Sequence, residues 1–170
     1  LINWMEKRHD WKGVKKEWIQ FTPGVVAGFS FAIQAYSQPG DKVIIQPPVY
    51  YPFRNQILGN GRQVVDNPLK IVDGQYRMDF EDLEKKIDDR TTMIILCSPH
   101  NPIGRVWERE ELAKLVKICV EKDIVIISDE IHNDLILGAI KHTPTATISE
   151  EALQRTVTLV APSKTFNLAG

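Results

Sequence analysis

Two continuous apolar runs, residues 92–97 and 124–127, constrain this chain more than any other feature. A strand packed on one face alternates apolar with polar residues. A strand that is apolar along its length is covered on both faces, as in a parallel sheet. Between the two runs lies the clearest amphipathic pattern in the chain. Over residues 108–121, Leu112, Leu115, Val116, Cys119 and Val120 fall on one helical stripe. Strand, helix and strand in that order predict an α/β layer built on a mostly parallel sheet.

The rest of the chain repeats the alternation. Residues 1–8 read as helix. Trp4, Trp11 and Trp18 recur every seven positions, but Gly13 and the charges between them argue against one continuous helix, and aromatic packing or a subunit contact explains them. Thr22-Pro23-Gly24 introduces a compact helix over 25–37, which ends in the turn Gln38-Pro39-Gly40-Asp41. A strand over 42–46 is followed by Pro47-Pro48-Val49-Tyr50-Tyr51-Pro52, then a helix from about 53 to 58 and a strand over 63–65. Asp73-Gly74 predicts a hairpin turn between runs 69–72 and 76–78, and Asp79 a helix cap for a helix reaching about Ile87. A last strand is expected over 157–160.

Composition closes off several classes. Lys plus Arg is 21 and Asp plus Glu is 22, for a net charge of -1, so bulk charge offers no hold on nucleic acid or an anionic membrane. No apolar stretch has the length of a membrane-spanning helix. The opening Leu1-Ile2-Asn3-Trp4 is neither a signal peptide nor an initiator start, so residues are expected upstream. Cys97 and Cys119 are read as two reduced core thiols of a cytoplasmic protein. His9, His100, His132 and His142 show no helical zinc spacing and there is no C-x-x-C, so no metal site is expected. G-x-S-x-G, Walker and G-x-G-x-x-G patterns are all missing.

The informative polar residues stand just beyond apolar runs, where ligands of parallel sheets lie. Asp129 follows Ile-Val-Ile-Ile-Ser; it either caps the next turn or holds a cation such as a protonated pyridine nitrogen. Asn101, in Ser98-Pro99-His100-Asn101-Pro102-Ile103-Gly104, is either turn chemistry or a donor to a phenolate oxygen. Val25 and Val26 open a helix whose N–H groups and positive dipole end suit a phosphate, although many helices start so without a ligand. Tyr50 or Tyr51 either packs on prolines or stacks on a flat ring. Lys164, in Ala161-Pro162-Ser163-Lys164-Thr165-Phe166, adds an amine after the last strand.

Taken together, in this order and separation, these clusters resemble the fold-type I pyridoxal-phosphate enzymes of the class I/II aminotransferase superfamily. Three strings narrow the resemblance to the cystathionine β-lyase (C–S lyase) branch, the MalY/PatB-like proteins. They are Trp4-Met5-Glu6-Lys7-Arg8-His9 with Glu17-Trp18-Ile19, Pro99 through Trp107, and Asp129-Glu130-Ile131-His132-Asn133-Asp134-Leu135.

The resemblance implies a three-layer α/β sandwich, and residues 1–170 as part of a pyridoxal 5′-phosphate-binding large domain. An N-terminal segment and a small C-terminal domain would lie outside the chain. It implies Lys164 as the catalytic lysine that bonds the cofactor, Asp129 at the pyridine nitrogen, Asn101 at O3′ and Tyr50 on the ring. Val25 and Val26 would hold the phosphate, with help from Ser163. His132 stands where many relatives carry Tyr, and Ala161 where many carry Ser. The implied reaction is β-elimination of cystathionine or related S-substituted cysteines to pyruvate, ammonia and a thiol, by a homodimer. Transamination is the alternative, and a non-catalytic module on the same fold a third. The chain alone is expected to be inactive.

Overall fold

The computed structural model describes residues 1–168. α1 (Ile2–His9) ends where Asp10 turns left-handed at φ 52°, so Trp4, Trp11 and Trp18 do not share a helix. A single 3-10 turn at Lys16–Trp18 leads to α2 (Val25–Tyr36) and β1 (Lys42–Ile45). Next come α3 (Pro52–Gly59), β2 (Gln63–Asp66), β3 (Lys70–Val72), β4 (Gln75–Arg77), α4 (Phe80–Lys86) and β5 (Thr91–Cys97). The chain continues through α5 (Arg109–Glu121), β6 (Val125–Asp129), α6 (Glu150–Arg155), β7 (Thr156–Leu159) and α7 (Pro162–Thr165).

Five strands form one parallel sheet in the order β2-β1-β5-β6-β7. The apolar runs on β1, β5 and β6 serve both faces. Val43, Ile45, Met93, Ile95, Cys97 and Ile127 pack under α2 and α3. Ile44, Ile94, Leu96 and Ile126 pack under α4, α5 and α6. This is the three-layer sandwich expected from the sequence. The helix over α5 has the reciprocal capping box its sequence offers: Glu108 accepts from the Glu111 backbone, and Glu111 from that of Glu108. Asp79 caps α4 by accepting from the Asp82 N–H. Asp73 and Gly74, both at positive φ, join β3 and β4 as the predicted hairpin, which stands apart from the main sheet.

Two expectations shift. β7 begins one residue earlier than expected, and all four of its residues are only half-buried, because it is the sheet's edge strand. β6 reaches Asp129 itself, so that carboxyl belongs to the strand and not to the loop after it.

Strand order locates the crevice. From β1 the chain steps out to β2, then returns to the other side of β1 as β5. The loops leaving β1 and β5 therefore diverge at their carboxyl ends, the usual ligand position in such sheets. α2 runs directly into β1 through a short turn, so its N-terminus lies at that same edge. It comes close to β7 because Gly28 carries no side chain. A Cβ there would sit 3.0 Å from Leu159 Cδ2.

Candidate active site

The loops of β1 and β5 are latched across the crevice by His100. Its Nε2–H donates to the Pro48 carbonyl at 3.0 Å, since a carbonyl can only accept. Burial drives its pKa down to about 4, against smaller opposing effects of backbone hydrogen bonds, so the ring is neutral at ordinary pH. The ring meets Trp107 edge-on at 5.4 Å, and Trp107 Nε1–H donates to the Cys97 carbonyl at 2.9 Å. Asn101 sits beside this latch with its N–H on Cys97 Sγ at 3.3 Å. Among the described residues no protein group bonds its side chain. Across the crevice Tyr50 is half-buried, edge-on to Phe53 at 5.8 Å, whereas Tyr51 is largely exposed.

Asp129 ends β6, in register with Cys97 on one side and Leu159 on the other. Strand alternation puts it on the face of Ile127, the α2 side. Its carboxyl is 4% exposed and accepts one hydrogen bond, from Ile131 N–H at 3.2 Å. The cap and the buried carboxyl are thus both real. Burial pushes its pKa up to about 7; the Ile131 N–H opposes this and Glu130 adds to it. Among the described residues no cation pairs with it. Burial, and secondarily the Asp129 charge, also raises the pKa of the Cys97 thiol, and burial takes Cys119 up to about 12. Both are inert core thiols.

α2 starts at Val25 after Gly24 at φ 94°, with no side-chain cap, and its first helical bond is Gly28 N–H to Gly24 O at 3.1 Å. The N–H groups of Val25 and Val26 therefore have no intrahelical acceptor. Past β7, Ala161 stands at the N-cap position of α7 with no side-chain bond to offer, Ser163 is half-buried and Lys164 is exposed. Half-buried His132 has its pKa lowered by burial and by the positive charge of Lys164, which puts the two side chains within electrostatic reach. The structure brings Val25, Tyr50, Asn101, Asp129, His132 and Lys164 to one sheet edge. It forms no hydrogen bond among them.

Two polar clusters, one fully buried and one only partly so, had no signature in the sequence. Glu130, fully buried next to Asp129, faces the opposite side of the sheet. Its Oε1 accepts from Ser128 Oγ at 2.8 Å and from Thr145 N–H at 2.9 Å, and its Oε2 lies 2.8 Å from His142 Nε2. Asp134 gathers side chains from both ends of the chain. Trp4 Nε1–H reaches it at 3.1 Å, Arg8 Nε–H at 3.4 Å, His9 Nε2–H at 3.0 Å and the Thr165 hydroxyl at 2.9 Å. These partners lie more than a hundred positions away or beyond a loop, so no local pattern announces them.

The chain matches the family described as Aminotransferase class I and II over residues 1–170. It belongs to that family. Over its whole length it is 53% identical to cystathionine beta-lyase PatB of Bacillus subtilis (strain 168), of which it covers 44%. The structure of cystalysin from Treponema denticola, which contains a pyridoxal 5′-phosphate cofactor, superposes with a TM-score of 0.95 at 43% identity. That match covers 98% of this chain and 42% of cystalysin. A PLP-bound C-S lyase from Staphylococcus hominis gives a TM-score of 0.90 at 35% identity, covering 98% of this chain and 42% of that one. The chain thus spans less than half the length of these relatives.

Proposed function

We propose that residues 1–170 form part of the pyridoxal 5′-phosphate-binding large domain of a carbon–sulfur β-lyase acting on cystathionine or a related S-substituted cysteine. The observation that carries this is Asp129. A carboxyl this buried, with one weak donor and no cation among the described residues, is costly unless a cation meets it. The ring nitrogen of pyridoxal phosphate, protonated, is such a cation. The other parts agree with the same ligand: two free helix N–H groups for a phosphate, a Tyr50 ring beside the crevice, and Asn101 with a free amide. The 53% identity to a cystathionine β-lyase supports lyase chemistry over transamination. The partial coverage of the relatives supports the view that an N-terminal segment and a small domain complete the enzyme. Its assembly would be a homodimer.

Bound there, the cofactor supplies an electron-withdrawing ring that lets the substrate Cα–H bond ionise. Asp129 keeps the ring nitrogen protonated. The Asn101 amide would donate to the phenolate oxygen, and His132 would be a second candidate donor to it. Val25 and Val26 N–H groups and the Ser163 hydroxyl bind the phosphate. Lys164 would hold the cofactor through its amine and, with that amine free, would take the Cα proton as general base. The Cβ–S bond breaks with its electron pair on sulfur, so a thiol leaves. Water then releases ammonia and pyruvate from the remaining three carbons.

The test is product analysis of the complete enzyme with L-cystathionine. Equal amounts of pyruvate and thiol, with no keto acid added, are expected, and Lys164→Ala should abolish them. Turnover that requires an added keto acid would instead make it a transaminase. Asp129→Asn should lower kcat on the order of 10²- to 10³-fold, the usual cost of losing one preorganised electrostatic partner.

A further inference from the structure

Asp134 is a four-partner hub outside the proposed cofactor site, and its contacts converge on the segment that carries the lysine. It accepts the Thr165 hydroxyl, one residue after Lys164, at 2.9 Å. It accepts Trp4, Arg8 and His9, all from α1. Trp4 in turn meets Phe166, two residues after Lys164, edge-on at 5.5 Å, and Arg8 lies over the Trp4 ring at 5.6 Å. Burial works to raise the Asp134 pKa, but the hydrogen bonds donated by Thr165 and Trp4 oppose it, and the carboxyl is held below its ordinary range. It is an ionised hub. His9 stays a neutral donor on it, because burial and His142 lower the His9 pKa more than Asp134 raises it. α7 is four residues long and buries none of them. A turn that short holds no fixed shape by itself, and Lys164 hangs from it on a flexible four-carbon stem.

We propose that Asp134 is a positioning residue for Lys164, acting through the Thr165 hydroxyl and braced by Trp4, Arg8 and His9 of α1. The role rests on the reading of Lys164 as the cofactor lysine. By fixing Thr165 and Phe166, the hub fixes the backbone direction from which the Lys164 stem leaves. Misplacing a general base by an ångström costs up to about a hundredfold in rate, so the hub acts on proton transfer more than on substrate binding.

The test uses the complete holoenzyme with Thr165→Val, which removes the hydroxyl at constant shape, and Thr165→Ser, which keeps it. Thr165→Val should lower kcat about tenfold with KM within about twofold, and raise the deuterium isotope effect of Cα-labelled substrate as proton transfer becomes limiting. It should also slow, by several-fold, the growth of the lysine-bound cofactor's absorbance when cofactor is added to the apoenzyme. Thr165→Ser should restore all three. If Thr165→Val matches wild type in reconstitution rate and isotope effect, or Thr165→Ser is as impaired as Thr165→Val, the positioning role fails. Wild-type enzyme with no Lys164-dependent absorbance overturns the cofactor reading itself, and the positioning role with it.

Discussion

Asp129 and Glu130 are neighbours in sequence, both buried at the end of one strand, and they live in opposite conditions. Asp129 points to the α2 face, accepts one hydrogen bond, and has its pKa pushed up to about 7 by burial. Glu130 points to the α5–α6 face, where Ser128, Thr145 and His142 surround both its oxygens. Strand alternation alone separates them. One carboxyl is satisfied by the protein and holds the fold. The other accepts one hydrogen bond and meets no cation among the described residues. Burial by itself therefore does not single out a candidate site carboxylate; burial without partners is what distinguishes Asp129 from Glu130.

The largest expected effect falls on the satisfied one. Glu130→Ala should cost about 4 kcal/mol in denaturant unfolding, because it leaves buried donors from two residues and His142 facing nothing. Glu130→Gln should cost less. Its carbonyl can still accept from Ser128 and Thr145, and His142 can turn from donor to acceptor by carrying its proton on Nδ1, which has no partner now. Equal losses for the two variants would mean that packing, not hydrogen bonding, makes Glu130 matter.

At the crevice, titration separates the groups next. His100 is held neutral when folded, with its pKa lowered to about 4. Below pH 6.5 the unfolded chain takes up a proton there and the folded chain does not, so stability falls as pH drops from about 6.5 to 4. At 1.36 kcal/mol per unit the loss is about 3 kcal/mol. His100→Gln, which keeps a donor for Pro48, should flatten this acid limb in unfolding curves taken from pH 7 to 4; an unchanged limb would assign it elsewhere. Asp129 works in the other direction. Its folded pKa lies above the unfolded value, so the folded state keeps a proton that the unfolded chain releases. The penalty is absent below about pH 4, grows through the window to about 7, and is complete above it. In cofactor-free protein Asp129→Asn should therefore stabilise by about 2 kcal/mol at pH 8, less than the full shift because a buried amide still lacks partners. The gain should vanish near pH 4. A destabilised Asp129→Asn at pH 8 would show that Asp129 has a partner in solution after all.

The sequence carried one half of this contrast far better than the other. Asp129 was legible because a carboxylate directly after Ile-Val-Ile-Ile-Ser sits at a strand's end whatever the details. Asn101 was legible for the same reason, turn residues beyond an apolar run, and the start of α2 from Thr22-Pro23-Gly24 ahead of a compact helical pattern. Glu130 was not, since its partners Thr145 and His142 return across an irregular loop with no periodicity. Asp134 was less legible still. Its partners Trp4 and Thr165 come from the two ends of the chain, and the seven-residue spacing of Trp4, Trp11 and Trp18 carries no hint of the bond that only Trp4 makes to it. Apolar patterning reports which face a strand buries. It says nothing about which polar side chains a loop will bring back to meet there.

The finest test separates the hydrogens inside the Glu130 cluster. Ser128 Oγ lies 2.8 Å from Glu130 Oε1 and 2.9 Å from Thr145 Oγ1. A hydroxyl has one proton, and the Ser128 proton goes to the carboxylate, so the Thr145 hydroxyl must donate to Ser128. The order Thr145 to Ser128 to Glu130 makes the two deletions unequal. Thr145→Val removes the outer donor and leaves the bond to Glu130 intact; it should cost about 0.5 kcal/mol. Ser128→Ala removes the bond to Glu130 and also strands the buried Thr145 hydroxyl; it should cost about 1.5 kcal/mol. The double variant strands nothing, so it should cost no more than Ser128→Ala alone, a coupling of about 0.5 kcal/mol in a double-mutant cycle. Additive losses, or a Thr145→Val penalty above that of Ser128→Ala, would show that the Thr145 hydroxyl does not act through Ser128 and would break this order of donors.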